Sequence, residues 1–115
     1  MIRIKDLMTG NEYNFGQDVL SIGRKRENDI TVPVPGTAWR SADYKPASMV
    51  SRLHAELARR EDGVYLKDAG SEYGTFVTSH DARGECSARK LTAGTEEKLN
   101  KGDIFTLFWY QMQLL

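Results

Sequence analysis

Hydrophobic and polar side chains alternate along most of this chain with a period of two residues, as where Ile2 and Ile4 flank Arg3. Similar runs lie at residues 13–15, 19–23, 30–32, 55–60, 64–67 and 104–115. A period of two places successive side chains on opposite faces of a β-strand. No window carries the sustained apolar stripe and end caps of an amphipathic helix. The pattern therefore predicts an all-β chain.

Turn-forming residues separate these runs. Glu61-Asp62-Gly63 gives the clearest signal, because Asp-Gly between two alternating runs favours a β-hairpin. Thr9-Gly10-Asn11 predicts a hairpin between the first two strands, and Asn100-Lys101-Gly102-Asp103 predicts another tight connection. Many short strands joined in this way predict an antiparallel sandwich or barrel.

Two longer segments lack the alternation. Residues 33–48 contain Pro33, Pro35 and Pro46, and residues 78–95 are rich in Ser, Gly, Ala, Arg and Glu. Loops longer than about twelve residues in a compact domain are usually functional or mobile. We interpret 33–48 as a loop insertion that either contributes to function, because it directly precedes Ser51, or is simply tolerated. The same alternatives hold for the second segment. Trp39, in the insertion, either packs back onto the domain or stands out for a partner.

Length and composition narrow the class of protein. The 115 residues fit one domain that spans residues 1–115. Sixteen basic and sixteen acidic residues cancel, which argues against direct nucleic-acid binding. The single cysteine, Cys86, excludes a disulfide within the chain and favours a reducing compartment. Because there is neither a membrane-spanning stretch nor a secretory signal, we expect a cytoplasmic or nuclear domain without membrane contact.

An enzymatic function finds little support in these residues. Ser51, His54 and Asp68 are the residue types of a catalytic triad, but Ser51 and His54 lie three positions apart at the entry to a strand, and no nucleophile elbow is present. The chain also lacks a Gly-Lys-Ser or Gly-Lys-Thr phosphate loop and any metal-ligand spacing. We therefore predict no catalytic residue, no metal and no cofactor.

Three short clusters at the ends of strand-like runs carry the candidate chemistry. They are Gly23-Arg24, Ser51-Arg52-Leu53-His54 and Gly70-Ser71-Glu72-Tyr73-Gly74-Thr75. Arginine suits a two-pronged grip on phosphate, and a serine hydroxyl adds a neutral donor. Together they predict a pocket for a phosphomonoester, which carries about two negative charges near neutral pH. The alternative is that the arginines are ordinary surface charges and that the serine only caps a turn.

The ordered set of clusters resembles the forkhead-associated (FHA) domain, a family of phosphopeptide-binding β-sandwiches. The resemblance runs from about Asn11 to the end of the chain. The matching residues are Gly23, Arg24, Ser51, Arg52, Leu53, His54, Gly70, Ser71, Gly74, Thr75 and the run 99–103. The resemblance implies an antiparallel β-sandwich of about 10–11 strands with recognition loops at one end.

The resemblance also implies a role for each matching residue. Arg24 and Ser51 correspond to the family's phosphate-binding arginine and serine, and Arg52 adjoins them as a third phosphate-binding candidate. The residues that would support the loops are Gly23, His54, Gly74 and Thr75. Family members prefer phosphothreonine to phosphoserine, use no metal and perform no reaction.

Two residues depart from the family pattern. Position 72 is usually Ser or Thr, or Lys in nibrin-like members, and here it is Glu72, which repels a phosphate unless it turns away or pairs with Arg24 or Arg52. Tyr73 replaces the usual Asn and offers one hydroxyl, whereas an amide both donates and accepts. The sequence therefore predicts that the phosphate-binding contacts are mostly kept and that the contacts with the peptide backbone are altered.

Two functions follow from these residues. The first is recognition of phosphothreonine in a partner protein, with Arg40 and Lys45 of the insertion as candidate peptide contacts. The second is a scaffold that keeps the fold but has lost phosphate binding, and acts through protein interaction or self-association. The run Gly70–Val77 is similar to nibrin-like members of the family, which implies a nuclear, chromosome-linked or DNA-damage role.

Overall fold

The structure is a computed structural model that describes residues 1–41, 43–80 and 82–115. These residues form eleven strands, which are β1 (Ile2–Asp6), β2 (Glu12–Phe15), β3 (Val19–Gly23), β4 (Ile30–Thr31), β5 (Ala55–Arg60), β6 (Gly63–Asp68), β7 (Thr75–His80), β8 (Cys86–Lys90), β9 (Glu96–Leu99), β10 (Ile104–Leu107) and β11 (Tyr110–Leu114). Two short 3₁₀ helices, Ala38–Arg40 and Lys45–Met49, lie between β4 and β5.

The strands form two sheets that enclose one apolar core. The first sheet has the order β2-β1-β11-β10-β7-β8, and the second has the order β4-β3-β5-β6-β9. In the described residues all neighbours pair antiparallel except β3 and β4, which pair in parallel. The architecture confirms the predicted antiparallel β-sandwich of about 10–11 strands.

The period-two pattern follows from the burial of one face of each sheet. Ile2 and Ile4 of β1 are fully buried, whereas Arg3 between them is exposed. Leu20 and Ile22 of β3 supply the facing layer from the second sheet. Burying one such side chain contributes about 1.5–3 kcal/mol, so the alternation stabilises the association of the two sheets.

Two predicted hairpins are confirmed by the strand register. Arg60 pairs with Gly63 across the turn between β5 and β6. In the turn between β1 and β2, the Gly10 amide donates to the Asp6 carbonyl and the Asp6 amide donates to the Asn11 carbonyl, both at 2.8 Å. Gly10 has a φ of +82°, a conformation that costs glycine little.

The prediction that residues 78–95 lack regular structure is wrong. β7 continues to His80 and pairs with β8 (Cys86–Lys90). In this register Phe76 lies opposite Lys90, and His80 lies opposite Cys86. β8 is an edge strand that is largely exposed, so its side chains need no hydrophobic alternation, and it is recognised by its backbone pairing with β7. Asp81 lies outside the described residues.

The insertion at 33–48 is folded onto the sandwich. Trp39 contacts the ring of Trp109 at a centroid distance of 5.9 Å, and Tyr44 contacts Trp109 at 5.4 Å. The Trp109 indole N–H also donates to the Pro46 carbonyl at 2.7 Å. Trp39 therefore packs back onto the domain, and the insertion has a fixed position beside the loop after β3. Ala42 lies outside the described residues.

Gly23 lets two chain segments approach closely at the end of β3. A Cβ at this position would overlap the Arg52 carbonyl oxygen and would lie 2.9 Å from the Asn28 side-chain nitrogen. The Gly23 carbonyl accepts from the Val32 amide at 3.0 Å, so this backbone is also held from the other side. A side chain here would push the Arg52 segment away from β3.

We predict that Gly23→Ala lowers the free energy of unfolding by about 1–3 kcal/mol, the usual cost of overpacking. Gly16→Ala is the matched control, because a Cβ at Gly16 meets nothing within 4 Å. Urea denaturation of both variants measures the difference. Equal stability of the two variants would contradict the close approach at Gly23.

Candidate functional site

The loops that follow β3 and precede β5 are joined by backbone hydrogen bonds. The Arg24 amide donates to the Ser51 carbonyl at 3.0 Å, and the Lys25 amide donates to the Arg52 carbonyl at 3.2 Å. The Asn28 side chain also donates to the Arg52 carbonyl, at 2.6 Å. These bonds bring Arg24, Ser51 and Arg52 together, as the sequence predicted, although they lie far apart along the chain.

The Arg24 side chain is oriented by a backbone carbonyl of the segment that precedes β5. Its Nε donates to the Val50 carbonyl at 3.0 Å, and the side chain is half-buried. This bond uses one of the five N–H groups of a guanidinium, and the two terminal nitrogens form no ion pair among the described residues. An arginine fixed in this way loses less side-chain entropy when it binds a phosphate.

The Ser51 hydroxyl is held as a hydrogen-bond donor. Ser51 Oγ accepts from the Glu72 amide at 3.0 Å, which links it to the loop between β6 and β7. A hydroxyl that accepts through oxygen still has its own hydrogen to donate. The Ser51 backbone amide donates to Nδ1 of His54 at 3.0 Å, so both the amide and the hydroxyl of Ser51 are hydrogen-bonded.

His54 connects the segment before β5 to the segment before β7 from a fully buried position. Its Nε2 lies 2.9 Å from the Gly74 carbonyl, and its Nδ1 accepts from Ser51. An amide can only donate and a carbonyl can only accept, so the ring is the neutral tautomer with hydrogen on Nε2. Burial lowers the pKa of His54, and the Gly74 bond and the Asp68 charge oppose this only in part.

Asp68 organises the loop between β6 and β7, a role that the sequence analysis missed. Its carboxylate accepts from the Gly70 amide at 2.8 Å, from the Ser71 amide and hydroxyl at 2.7 and 2.6 Å, and from the Thr75 hydroxyl at 2.9 Å. Burial raises the pKa of Asp68, but these four bonds together outweigh it and lower the pKa below its usual value. The signal was available, because Asp followed by Gly and Ser at two and three positions is typical of an Asx-turn.

Glu72 and Tyr73 occupy the tip of this loop. In the described part of the chain, Glu72 forms no ion pair with Arg24 or Arg52. Tyr73 contacts Phe108 with ring centroids 5.1 Å apart, and both side chains are 39% exposed. The Phe108 amide donates to the Gly74 carbonyl at 3.0 Å, which ties the β10–β11 turn to the same loop.

Arg40 and Lys45 of the insertion lie next to Arg24. Arg40 donates to the Pro33 carbonyl at 2.9 Å and to the Arg24 carbonyl at 2.6 Å. Partial burial and the charges of Arg24 and Arg26 lower the pKa of Arg40. Lys45 is exposed and shares with Arg24 and Arg40 the wall of a cavity of about 480 Å³. Arg40 thus supports the backbone of Arg24, which the sequence analysis did not foresee.

The charges at this end of the sandwich are unbalanced. Five ion pairs form among the described residues, and all of them use other cations. The cations without an ion pair at this end are Arg24, Lys25, Arg26, Arg40, Lys45 and Arg52. The net charge of the chain is zero, so the local excess of positive charge arises from the fold and not from composition.

The fold and the site define a β-sandwich binding module whose recognition loops are basic. A family model described as FHA domain matches residues 20–107, which is most of the chain. The chain therefore belongs to the FHA domain family, whose members are interaction modules. Within residues 1–41, 43–80 and 82–115, no helix has the length and hydrophobicity to span a membrane, and no three metal-ligating side chains cluster.

Solved structures of FHA domains share this fold. The FHA domain of CT664 protein from Chlamydia trachomatis superposes with a TM-score of 0.70 at 19% identity, covering 99% of this chain and 95% of that one. The FHA domain of human APLF, in complex with an XRCC1 bisphospho peptide, superposes with a TM-score of 0.68 at 21% identity, covering 99% and 96%. Mycobacterium tuberculosis EmbR, in complex with a low affinity phosphopeptide, gives 0.70 at 20% identity, and the match covers 98% of this chain but 24% of EmbR. No curated protein matches the chain in sequence.

We predict that acid destabilises the fold through His54. Its lowered pKa means that the unfolded chain takes up a proton near the ordinary pKa of about 6.5, whereas the folded chain does so only at lower pH. The free energy of unfolding is therefore highest above about pH 6.5 and falls as the pH drops towards the folded pKa. Urea denaturation between pH 7 and 5.5 measures this slope.

The His54→Asn variant tests the source of the slope. We expect it to be less stable by about 2 kcal/mol at neutral pH, because the Gly74 carbonyl loses the imidazole donor, and to show a weaker dependence on pH. His80→Asn, in an exposed part of β7, is the matched control and should keep the slope. An unchanged slope in His54→Asn would contradict this prediction.

Proposed function

We propose that this chain binds a phosphothreonine-containing segment of a partner protein. Arg24 grips the phosphate through the terminal nitrogens of its guanidinium, Ser51 donates its hydroxyl hydrogen, and Arg52 adds a second positive charge. Gly23, His54, Gly74 and Thr75 support the loops that carry these groups. No reaction is assigned to the chain.

The observation that carries this proposal is that Arg24 and Ser51 lie next to each other. Arg24 is bonded through its amide to Ser51 and through its Nε to Val50, and no carboxylate pairs with it among the described residues. A phosphomonoester offers the charge of about −2 and the acceptor oxygens that such a pair lacks. Phosphopeptides are also bound by EmbR and human APLF, which share the fold.

Glu72 weakens this interaction without cancelling it. An exposed pair of charges contributes only about 0.2–1 kcal/mol, whereas each charge-assisted hydrogen bond contributes about 1.5–3 kcal/mol. Glu72 is exposed, and its backbone amide already orients Ser51, so its carboxylate is free to turn to solvent. Tyr73 presents a ring beside Phe108, so the peptide chain meets an aromatic surface where relatives present an amide.

The cellular setting is a separate part of the proposal. The sequence Tyr73-Gly74-Thr75, shared with nibrin-like members, supports a nuclear partner in chromosome-linked or DNA-damage signalling. Capture of phosphoproteins from nuclear and cytoplasmic lysates, each with a phosphatase-treated control, tests it. Enrichment only from the cytoplasmic fraction would contradict the nuclear setting and leave the phosphothreonine chemistry intact.

We predict that the chain binds a degenerate phosphothreonine peptide library more tightly than the same library with phosphoserine or unmodified threonine. Arg24→Gln should weaken binding of the phosphothreonine library by at least about tenfold, since one or more charge-assisted bonds are lost. Ser51→Ala should weaken it by about threefold to tenfold, as expected for one hydrogen bond to a charged group. Isothermal titration calorimetry gives both values.

The matched control is Arg3→Gln. Arg3 is an exposed arginine of β1 that donates to Asn14 and takes no part in the loops described above. It should bind phosphothreonine as the unaltered chain does. Equal affinity for phosphorylated and unmodified libraries would instead favour the alternative function, a scaffold that interacts or self-associates without phosphate, and analytical ultracentrifugation would then test self-association.

A further inference from the structure

The insertion and Arg24 line a cavity beside the proposed phosphate site. This insertion cavity has a volume of about 480 Å³. Its lining residues are Arg24, Arg40, Ser41, Tyr44, Lys45, Ala47 and Ser48. Three of the seven are cations and none is a carboxylate. The one acidic residue of the insertion, Asp43, is not part of the lining.

Aromatic contacts and hydrogen bonds pack the insertion beneath this cavity. Tyr44 lies edge-on against both Trp39 and Trp109, with centroid distances of 5.7 and 5.4 Å. The Trp109 indole holds the Pro46 carbonyl, and the Thr37 hydroxyl donates to the Val34 carbonyl at 2.6 Å. Contacts between aromatic rings and bonds to backbone carbonyls keep the lining in one arrangement before a ligand arrives.

Arg40 is oriented but not neutralised. Its two terminal nitrogens each donate one hydrogen bond, to the Pro33 and Arg24 carbonyls, so the guanidinium plane is fixed and three of its five N–H groups stay available. Partial burial and the charges of Arg24 and Arg26 lower its pKa, and no carboxylate pairs with this guanidinium among the described residues, so its positive charge is not balanced there. A bound anion would relieve it.

Lys45 completes the positive wall from the opposite end of the insertion. Its side chain is exposed, and it forms no ion pair among the described residues. By contrast, Lys67 pairs with Glu56 at 3.4 Å and Lys98 lies 3.9 Å from Asp62. A flexible ammonium beside a fixed guanidinium suits an anion whose exact position varies, such as a side-chain carboxylate or a phosphate.

We propose that the insertion cavity is a second anion site, which takes a negatively charged side chain of the same peptide through Arg40 and Lys45. The inference rests on the proposed function, because Arg24 lines the cavity and also belongs to the phosphothreonine site. The second anion therefore lies within a few residues of the phosphothreonine, since an extended chain advances only about 3.3 Å per residue. Aspartate, glutamate or a second phosphorylated residue has the required charge.

Calorimetry with a positional peptide series tests this site. Each peptide carries one phosphothreonine, and a glutamate is moved through the three positions on either side of it in an otherwise neutral sequence. A parallel series carries phosphoserine at the same positions. At one or two positions we expect glutamate to tighten binding about threefold to fivefold and phosphoserine about tenfold or more, because the dianion forms stronger charge-assisted bonds.

A double-mutant cycle assigns the gain to the insertion cavity. Lys45→Gln should remove most of the gain from the second anion; the gain is the ratio of the affinities of the charged and neutral phosphothreonine peptides for the same variant, so any effect of Lys45 on the neutral peptide cancels. We choose Lys45 because its side chain forms no ion pair or hydrogen bond with the described residues, whereas Arg40 supports the Arg24 backbone. Lys101→Gln is the matched control, since Lys101 is an exposed lysine in the turn between β9 and β10, at the other end of the sandwich.

The outcomes separate this inference from the proposed function. Loss of the gain in Lys45→Gln but not in Lys101→Gln supports the second site. No gain at any position, or a gain that Lys45→Gln keeps, overturns it, and selective binding of the neutral phosphothreonine peptide would then still support the proposed function. A gain with phosphoserine but none with glutamate narrows the ligand to a second phosphate. Equal binding of phosphorylated and unmodified peptides overturns both.

Discussion

A neutral imidazole in the core holds the recognition loops together. His54 accepts a hydrogen from Ser51 and donates one to Gly74, and thereby links the segment before β5 to the segment before β7. The Gly74 carbonyl also receives the Phe108 amide, so the β10–β11 turn is part of the same network. Because the ring is fully buried, a second proton on it would cost both the Ser51 bond and the desolvation of a charge. The positions of Ser51 and of the loop before β7 therefore depend on a residue that is buried in the core.

Backbone hydrogen bonds also explain why cations collect at this end with no ion pair among the described residues. Backbone carbonyls, not carboxylates, hold the guanidinium groups of Arg24 and Arg40. A carbonyl orients a guanidinium by accepting a hydrogen bond but leaves its charge uncompensated. In contrast, the buried carboxylate of Asp68 accepts hydrogen bonds from the loop between β6 and β7 and pairs with neither arginine. The result is a fixed positive surface on a chain whose net charge is zero.

Sequence reasoning reached the sandwich because burial of one sheet face imposes a period of two, as in Ile2 and Ile4. It failed at β8, which lies at an edge and pairs through its backbone, so its side chains carry no periodic signal. It placed Arg24 near Ser51 through a family pattern, and the hydrogen bond between them follows from the pairing of the two segments. It missed Asp68 as the organiser of its loop, although the local spacing was typical of an Asx-turn.

The sequence by itself determined the strands whose buried faces alternate, the hairpin turns, the absence of an internal disulfide and the residue types available for a phosphate, since these depend on local pattern and composition. Only the tertiary structure decided which carbonyl each arginine contacts, that Glu72 leaves Arg24 unpaired, and that the insertion lies against Trp109. These outcomes join residues that are distant along the chain, and no local pattern encodes which distant groups meet. The excess of positive charge at the site therefore depends on the tertiary structure.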